Sequence, residues 1–125
     1  MIVADSSFLV HGLLRDAKLL ASDHIITPDL ALHEVANSIW KHEYILKDLK
    51  NGMDFIINMT DLIDSGAIML VTPNRKLVEK AYDIAARYKT SFYDCIFIAL
   101  AIETGSGLKT MDDKQEKILK AEKPK

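Results

Sequence analysis

Four times along this chain a short strand-like run gives way to a helix-start signal. Met1-Ile2-Val3-Ala4 is stopped by Asp5-Ser6-Ser7, and His24-Ile25-Ile26-Thr27 by Pro28-Asp29. Ala67-Ile68-Met69-Leu70-Val71 leads into Thr72-Pro73-Asn74, and Leu108-Lys109-Thr110-Met111 into Asp112. Continuous apolar runs of this length read as strands buried on both faces. Strands alternating with helices argue a parallel sheet covered on both sides. Right-handed crossovers then place a ligand site beyond the carboxyl ends of the strands, where the strand order reverses.

The helices fill the intervals. Phe8, Leu9, Leu13 and Leu14 form a short apolar face, and Ala17, Leu19, Leu20 and Ala21 a second one closed by Ser22-Asp23. From Pro28-Asp29 a helix runs to about Ile45, with Leu32, Val35, Ala36, Ile39 and Trp40 on its core side. Another spans roughly Leu49 to Ile63, where Phe55, Ile56, Met59, Leu62 and Ile63 recur at helical spacing. A third carries Leu77, Val78, Ala81, Ile84, Ala85 and Tyr88. Next comes the most apolar helix of the chain, Ser91 to Ala101, stopped at Gly105-Ser106-Gly107, and Asp112 opens a last one through Ile118 and Leu119. Ile26-Thr27-Pro28-Asp29 and Val71-Thr72-Pro73-Asn74 echo each other as one strand-to-helix turn used twice. No linker, low-complexity tract or long repeat interrupts the pattern, so the 125 residues are expected to form a single domain.

Composition narrows the function classes. No run of 18 or more apolar residues occurs, so a membrane span is not expected. The first apolar run has no charged segment before it, which argues against a signal peptide. The single cysteine, Cys95, excludes an intramolecular disulfide and a cysteine-based zinc site, and fits a small core residue in a reducing cytoplasm. A net charge of −2 does not advertise nucleic-acid binding. One local basic stretch, Lys114 to Lys125, is either a patch for such binding or a solvated helix end.

The acids carry the chemistry. Asp94 stands one turn into the apolar helix, where an ionised carboxylate is costly to desolvate without compensation. It is either a capping-box acid behind Ser91, at the positive end of the helix, or a metal ligand joined by acids from elsewhere. The topology makes the second reading testable, because other acids should then sit where strands end. Asp5 does, and so does Asp112, with Asp113 beside it. Each also reads as a helix cap, Thr110-x-x-Asp113 being another capping box. Caps explain where acids sit relative to helices, but they do not require three of them at the same edge of one sheet. Glu34 lies off the core stripe of its helix with Ala31 and Ser38, small residues that let another element approach. Two other signals fail. His33-Glu34-Val35-Ala36-Asn37 begins like a zinc-protease motif but has Asn37 at the second histidine, and Gly105 and Gly107 precede a strand, the wrong side for a dinucleotide turn.

These residues are similar to those of the PIN domain, the metal-dependent nuclease fold found in the toxins of VapBC toxin–antitoxin pairs. The resemblance runs from Ile2 to about Leu119 in four pieces: Val3-Ala4-Asp5-Ser6-Ser7, Pro28-Asp29-Leu30 with Glu34-Val35-Ala36-Asn37, Tyr93-Asp94-Cys95 with Ala99 and Ala101, and Thr110-Met111-Asp112. It implies a three-layer α/β/α fold around a central parallel sheet of four to five strands. It implies that Asp5, Glu34, Asp94 and Asp112 converge on one or two Mg²⁺ or Mn²⁺ ions, with Ser6, Thr110 and Asp113 close behind them. It further implies a cytoplasmic endoribonuclease acting on RNA, a homodimer, and a VapB-type antitoxin that occupies the active-site groove.

The chemistry is consistent with that implication. Two carboxylates ~4 Å apart repel by roughly 4 kcal/mol at an effective dielectric of ~20. A hard divalent cation removes that conflict, and oxygen ligands favour Mg²⁺ or Mn²⁺ over zinc. Basic residues must then hold the RNA backbone at the rim of the acidic pocket. Of Arg15, Lys18, Lys41, Lys47, Lys50, Arg75, Lys109 and Lys114, Lys41 is the first choice, since it shares the Glu34 side of its helix. The helix around Phe55, Ile56, Ile57 and Met59 serves either an interface or the core. A non-catalytic module of the same fold, binding RNA or a protein, is the competing reading. A phosphorelay receiver would need an aspartate after the third strand, where Leu70-Val71-Thr72-Pro73 offers none.

Overall fold

Strand β1 (Ile2–Ala4) lies inside the sheet because both its faces can be covered: Val3 and Ala4 are completely buried. The computed structural model describes residues 1–21 and 23–123. After β1 come helices α1 (Ser6–Arg15) and α2 (Lys18–Ala21), strand β2 (Ile25–Pro28), and helices α3 (Leu30–Tyr44) and α4 (Gly52–Asp64). Strand β3 (Ile68–Val71), helices α5 (Arg75–Tyr88) and α6 (Phe92–Thr104), strand β4 (Gly107–Lys109) and helix α7 (Asp113–Glu122) complete the described chain. The four strands are all parallel in the order β3-β2-β1-β4. Val3 pairs with Ile26 on one side and Leu108 on the other, and Pro28 lies opposite Val71. The order reverses between β1 and β4, so the ends of those two strands flank the crevice.

Helices α1, α3 and α4 pack on one another, as do α6 and its neighbours α5 and α7. With right-handed crossovers the two groups cover opposite faces, giving the expected three layers. Helix α6 lies against β1, β2 and β4 as well as α5 and α7. Seven consecutive residues, Cys95 to Ala101, are therefore buried all round, the pattern of a helix enclosed on every side. Cys95 is a core residue, its thiol pushed up to about 11 by burial first and the charge of Asp94 second. No helix among the described residues is long and apolar enough to cross a membrane.

Several boundaries and faces differ from the sequence expectation. Trp40 is 51% exposed instead of facing the core, because the buried stripe of α3 runs through Ala31, Val35 and Ile39 and Trp40 lies one residue off it. Val78 is exposed beside the buried stripe Leu77, Ala81 and Ile84 for the same reason. Helix α4 begins at Gly52 and not near Leu49, since Asn51 takes a left-handed conformation (φ 58°). Of the four apolar residues singled out on that helix, Met59 is buried, Phe55 and Ile56 are half-buried, and Ile57 is exposed.

The echoed turns lie side by side, Asp29 N–H donating to the Val71 carbonyl at 2.9 Å, but they differ in use. Asn74 caps α5 by accepting from Leu77 N–H at 2.9 Å, whereas the Asp29 carboxylate accepts from the Thr72 hydroxyl at 3.3 Å. At the C-terminal end, Glu122 accepts from Arg87 at 2.5 and 3.0 Å and from the Tyr88 hydroxyl at 2.8 Å, pinning α7 to α5. The basic stretch thus begins as an anchored helix. Ser22 and the final Lys125 lie outside the described residues.

Candidate active site

The crevice is built by strands that stop at polar residues. Asp5 follows β1, is 3% exposed and caps α1. Its Oδ1 accepts from Phe8 N–H at 2.9 Å and from the Ser7 hydroxyl at 2.7 Å, and its Oδ2 from the Thr110 hydroxyl at 2.5 Å. Three donors to an ionised acceptor offset the desolvation of a buried carboxylate. The partner strand supplies the mirror arrangement. Asp112 caps α7, accepting from Lys114 N–H at 2.9 Å, while its own N–H donates to Thr110 Oγ1 at 2.9 Å. Thr110 therefore bridges two of the expected site acids. The Met111 N–H adds a bond to Ser7 Oγ at 3.1 Å, and together these hydroxyls lace the ends of β1 and β4.

Asp94 enters from the first turn of α6. Ser91 caps that helix, accepting from Tyr93 N–H at 3.1 Å. The Asp94 carboxylate turns to Gln115 of α7, whose Nε2 donates to Oδ1 at 3.3 Å. Burial, then the charges of Asp112 and Asp5, push Asp94 above the usual carboxylate range, with Lys114 opposing them. The charges of Asp5 and Asp112 thus both bear on Asp94. Each of these aspartates also sits at or one turn inside a helix N-terminus, where the helix dipole favours negative charge.

Glu34 reaches the site from α3. Its Oε1 accepts from the Ser6 hydroxyl at 2.7 Å, and Ser6 is the residue after Asp5. Asp113 is exposed, and its side chain makes no hydrogen bond or ion pair among the described residues. From Ser6 and Glu34 a groove of about 400 Å³ opens between α1 and α3, lined also by His11, Arg15, Ser38 and His42. Lys41 is exposed and is not among the lining residues, so the groove's basic side chains are Arg15 and the two histidines. His42 Nδ1 lies 2.9 Å from Asp48 Oδ1. His11, His42 and Gln115 were not among the expected site residues. The four-residue spacing Glu34, Ser38, His42 along one helix face points to the second of them. Gln115 shares the buried stripe Gln115, Ile118, Leu119, and its Oε1 is buried with no hydrogen-bond partner among the described residues. Leaving such an acceptor unpaired costs about 1–3 kcal/mol.

Whether these residues suit a metal follows from donor type and arrangement. Four carboxylates with neighbouring hydroxyls are hard oxygen donors, which suit Mg²⁺ or Mn²⁺. Among the described residues, no three acid, histidine or cysteine side chains are drawn together as a metal cage. Asp5, Glu34 and Asp112 are each held by donors of the protein itself and Asp94 by the Gln115 amide, while the charges of Asp112 and Asp5 oppose that of Asp94. The donor set fits a hard divalent cation, and the mutual repulsion is what such a cation would relieve.

Fold and site together define a doubly wound α/β domain with carboxylates collected at the switch point of a parallel sheet. The sequence model of the PIN domain matches residues 2–120, and the chain belongs to that family. Over 89 residues it is also 29% identical to Ribonuclease VapC3 of Pyrobaculum aerophilum (strain ATCC 51768), covering 69% of this chain. That stretch spans 64% of the relative's length.

Proposed function

We propose that this PIN domain is a metal-dependent endoribonuclease that hydrolyses RNA phosphodiester bonds, and that it is the toxin of a toxin–antitoxin pair. The observation that carries the reading is the acid group at the switch point, where Asp94 is opposed by its burial and by Asp112 and Asp5. The name of the curated relative supports the ribonuclease class.

In this reading Asp5, Glu34, Asp94 and Asp112 hold one or two Mg²⁺ or Mn²⁺ ions. When bound, the metal supplies Lewis acidity toward the phosphate and a readily deprotonated water. The chain does the rest. Thr110 and Ser7 keep Asp5 oriented, and Ser6 does the same for Glu34. Arg15, His11 and His42 line the groove through which the strand enters, and Arg15 offsets the charge of its backbone. The same groove is where an antitoxin segment would block the RNA. Trp40, Tyr44 and Met53 line a second groove of about 200 Å³ between α3 and α4. Their exposure there supports pairing with another copy of the chain. In this reading the protein acts on RNA in the cytoplasm.

The test is cleavage of end-labelled RNA by the purified chain with Mg²⁺ or Mn²⁺, with a chelator, and with Asp5→Asn or Asp94→Asn. The expected result is metal-dependent cleavage that either substitution lowers by at least two orders of magnitude while the circular dichroism spectrum is kept. Variants that cut as fast as the parent would place the activity elsewhere. A parent that binds RNA and never cuts it would leave the non-catalytic module as the answer.

A further inference from the structure

Gln115 is the polar side chain that the proposed chemistry leaves unused. It lies three residues after Asp112 on α7, is 4% exposed, and occupies a position in the same buried stripe as Ile118 and Leu119. An apolar residue there would extend the stripe and bury no unpaired amide oxygen. The amide instead gives one hydrogen bond, from Nε2 to Asp94 Oδ1 at 3.3 Å, and keeps Oε1 buried with no partner among the described residues.

The value of that bond comes from what it holds. Asp5 has three donors, Glu34 has the Ser6 hydroxyl, and Asp112 has the Lys114 N–H. Asp94 has the Gln115 amide, so this contact sets the carboxylate's orientation against the like charges facing it. An amide is uncharged. It orients the carboxylate without neutralising it, as a lysine in its place would. It also joins the helix that Asp112 caps to the helix that carries Asp94, so the two acids are held in register. We infer that Gln115 is a positioning residue, fixing Asp94 to receive a divalent cation. The inference rests on the metal-site reading given above.

The experiment compares the parent with Gln115→Met and Gln115→Leu, which keep an apolar-compatible volume and remove both polar ends. Mn²⁺ affinity is measured from the electron paramagnetic resonance signal of free Mn²⁺, and the melting temperature is measured without metal. Hydrogen-bond partners behind metal ligands typically change affinity 10–100-fold. The expected result is Mn²⁺ binding weakened by that factor in both variants, with metal-free melting temperatures equal to or above the parent's. A residue that only fills the core would lower the melting temperature and leave Mn²⁺ affinity unchanged, which would overturn the inference. So would weakened binding in step with a lowered melting temperature in both variants. A parent that takes up no Mn²⁺ overturns the metal-site reading itself, and the inference with it.

Discussion

Thr110 shows how much of the site rests on one hydroxyl. It donates to Asp5 and accepts from the Asp112 N–H, so a single side chain closes the gap between the ends of β1 and β4. Replacing it with valine keeps the shape and leaves a buried carboxylate oxygen and a backbone N–H short of partners. The expected loss is about 1–3 kcal/mol in urea unfolding, at the upper end because the acceptor is charged. Thr110→Ser should recover most of it. A valine variant as stable as the parent would mean that Asp5 is satisfied without Thr110. Ser6 plays a lesser part of the same kind for Glu34, which is half-buried and so partly supported by solvent.

At the scale of elements, the anchor of α7 matters because that helix carries Asp112 at its start and Gln115 one turn in. Its far end is held by Glu122, which the Arg87 hydrogen bond, assisted by Tyr88, keeps below the usual carboxylate range. The sign of the pH effect follows. A carboxylate with a lowered value in the folded state contributes stability that is in place above its unfolded value, about 4.3 for glutamate. That contribution is lost as pH falls through the lowered value. Glu122→Gln should therefore melt below the parent near neutral pH, with the gap closing in acid. Melting curves across that range check it, and a gap that persists at low pH would show that packing, not charge, holds the helix end.

For the whole molecule, the alternation of apolar runs and helix starts was enough to read a parallel sheet and the edge at which Asp5 and Asp112 appear. Those positions follow from backbone periodicity, which the sequence displays directly. Cys95 was legible too, since a small residue in a wholly apolar helix has one natural place. The exposure of Trp40 was not, because hydrophobicity alone does not tell a core stripe from a surface beside it. Nor was the contact of Gln115 with Asp94, which depends on α7 meeting α6 across 21 residues of chain. The lining of the groove by Arg15 and His42, with Lys41 outside it, was not legible either, since its position depends on how α1 lies against α3.

In the proposed reading, the charges of Asp5 and Asp112 oppose that of Asp94 until a divalent cation joins them. Burial and the two neighbouring charges raise Asp94, so its ionised form destabilises the metal-free fold near neutral pH. The measurement is the melting temperature of the parent and of Asp94→Asn, without metal and with millimolar Mn²⁺. Without metal the asparagine variant should melt higher, and Mn²⁺ should raise the parent and leave the variant where it was. A parent unmoved by Mn²⁺, or a variant raised as much as the parent, would contradict the claim.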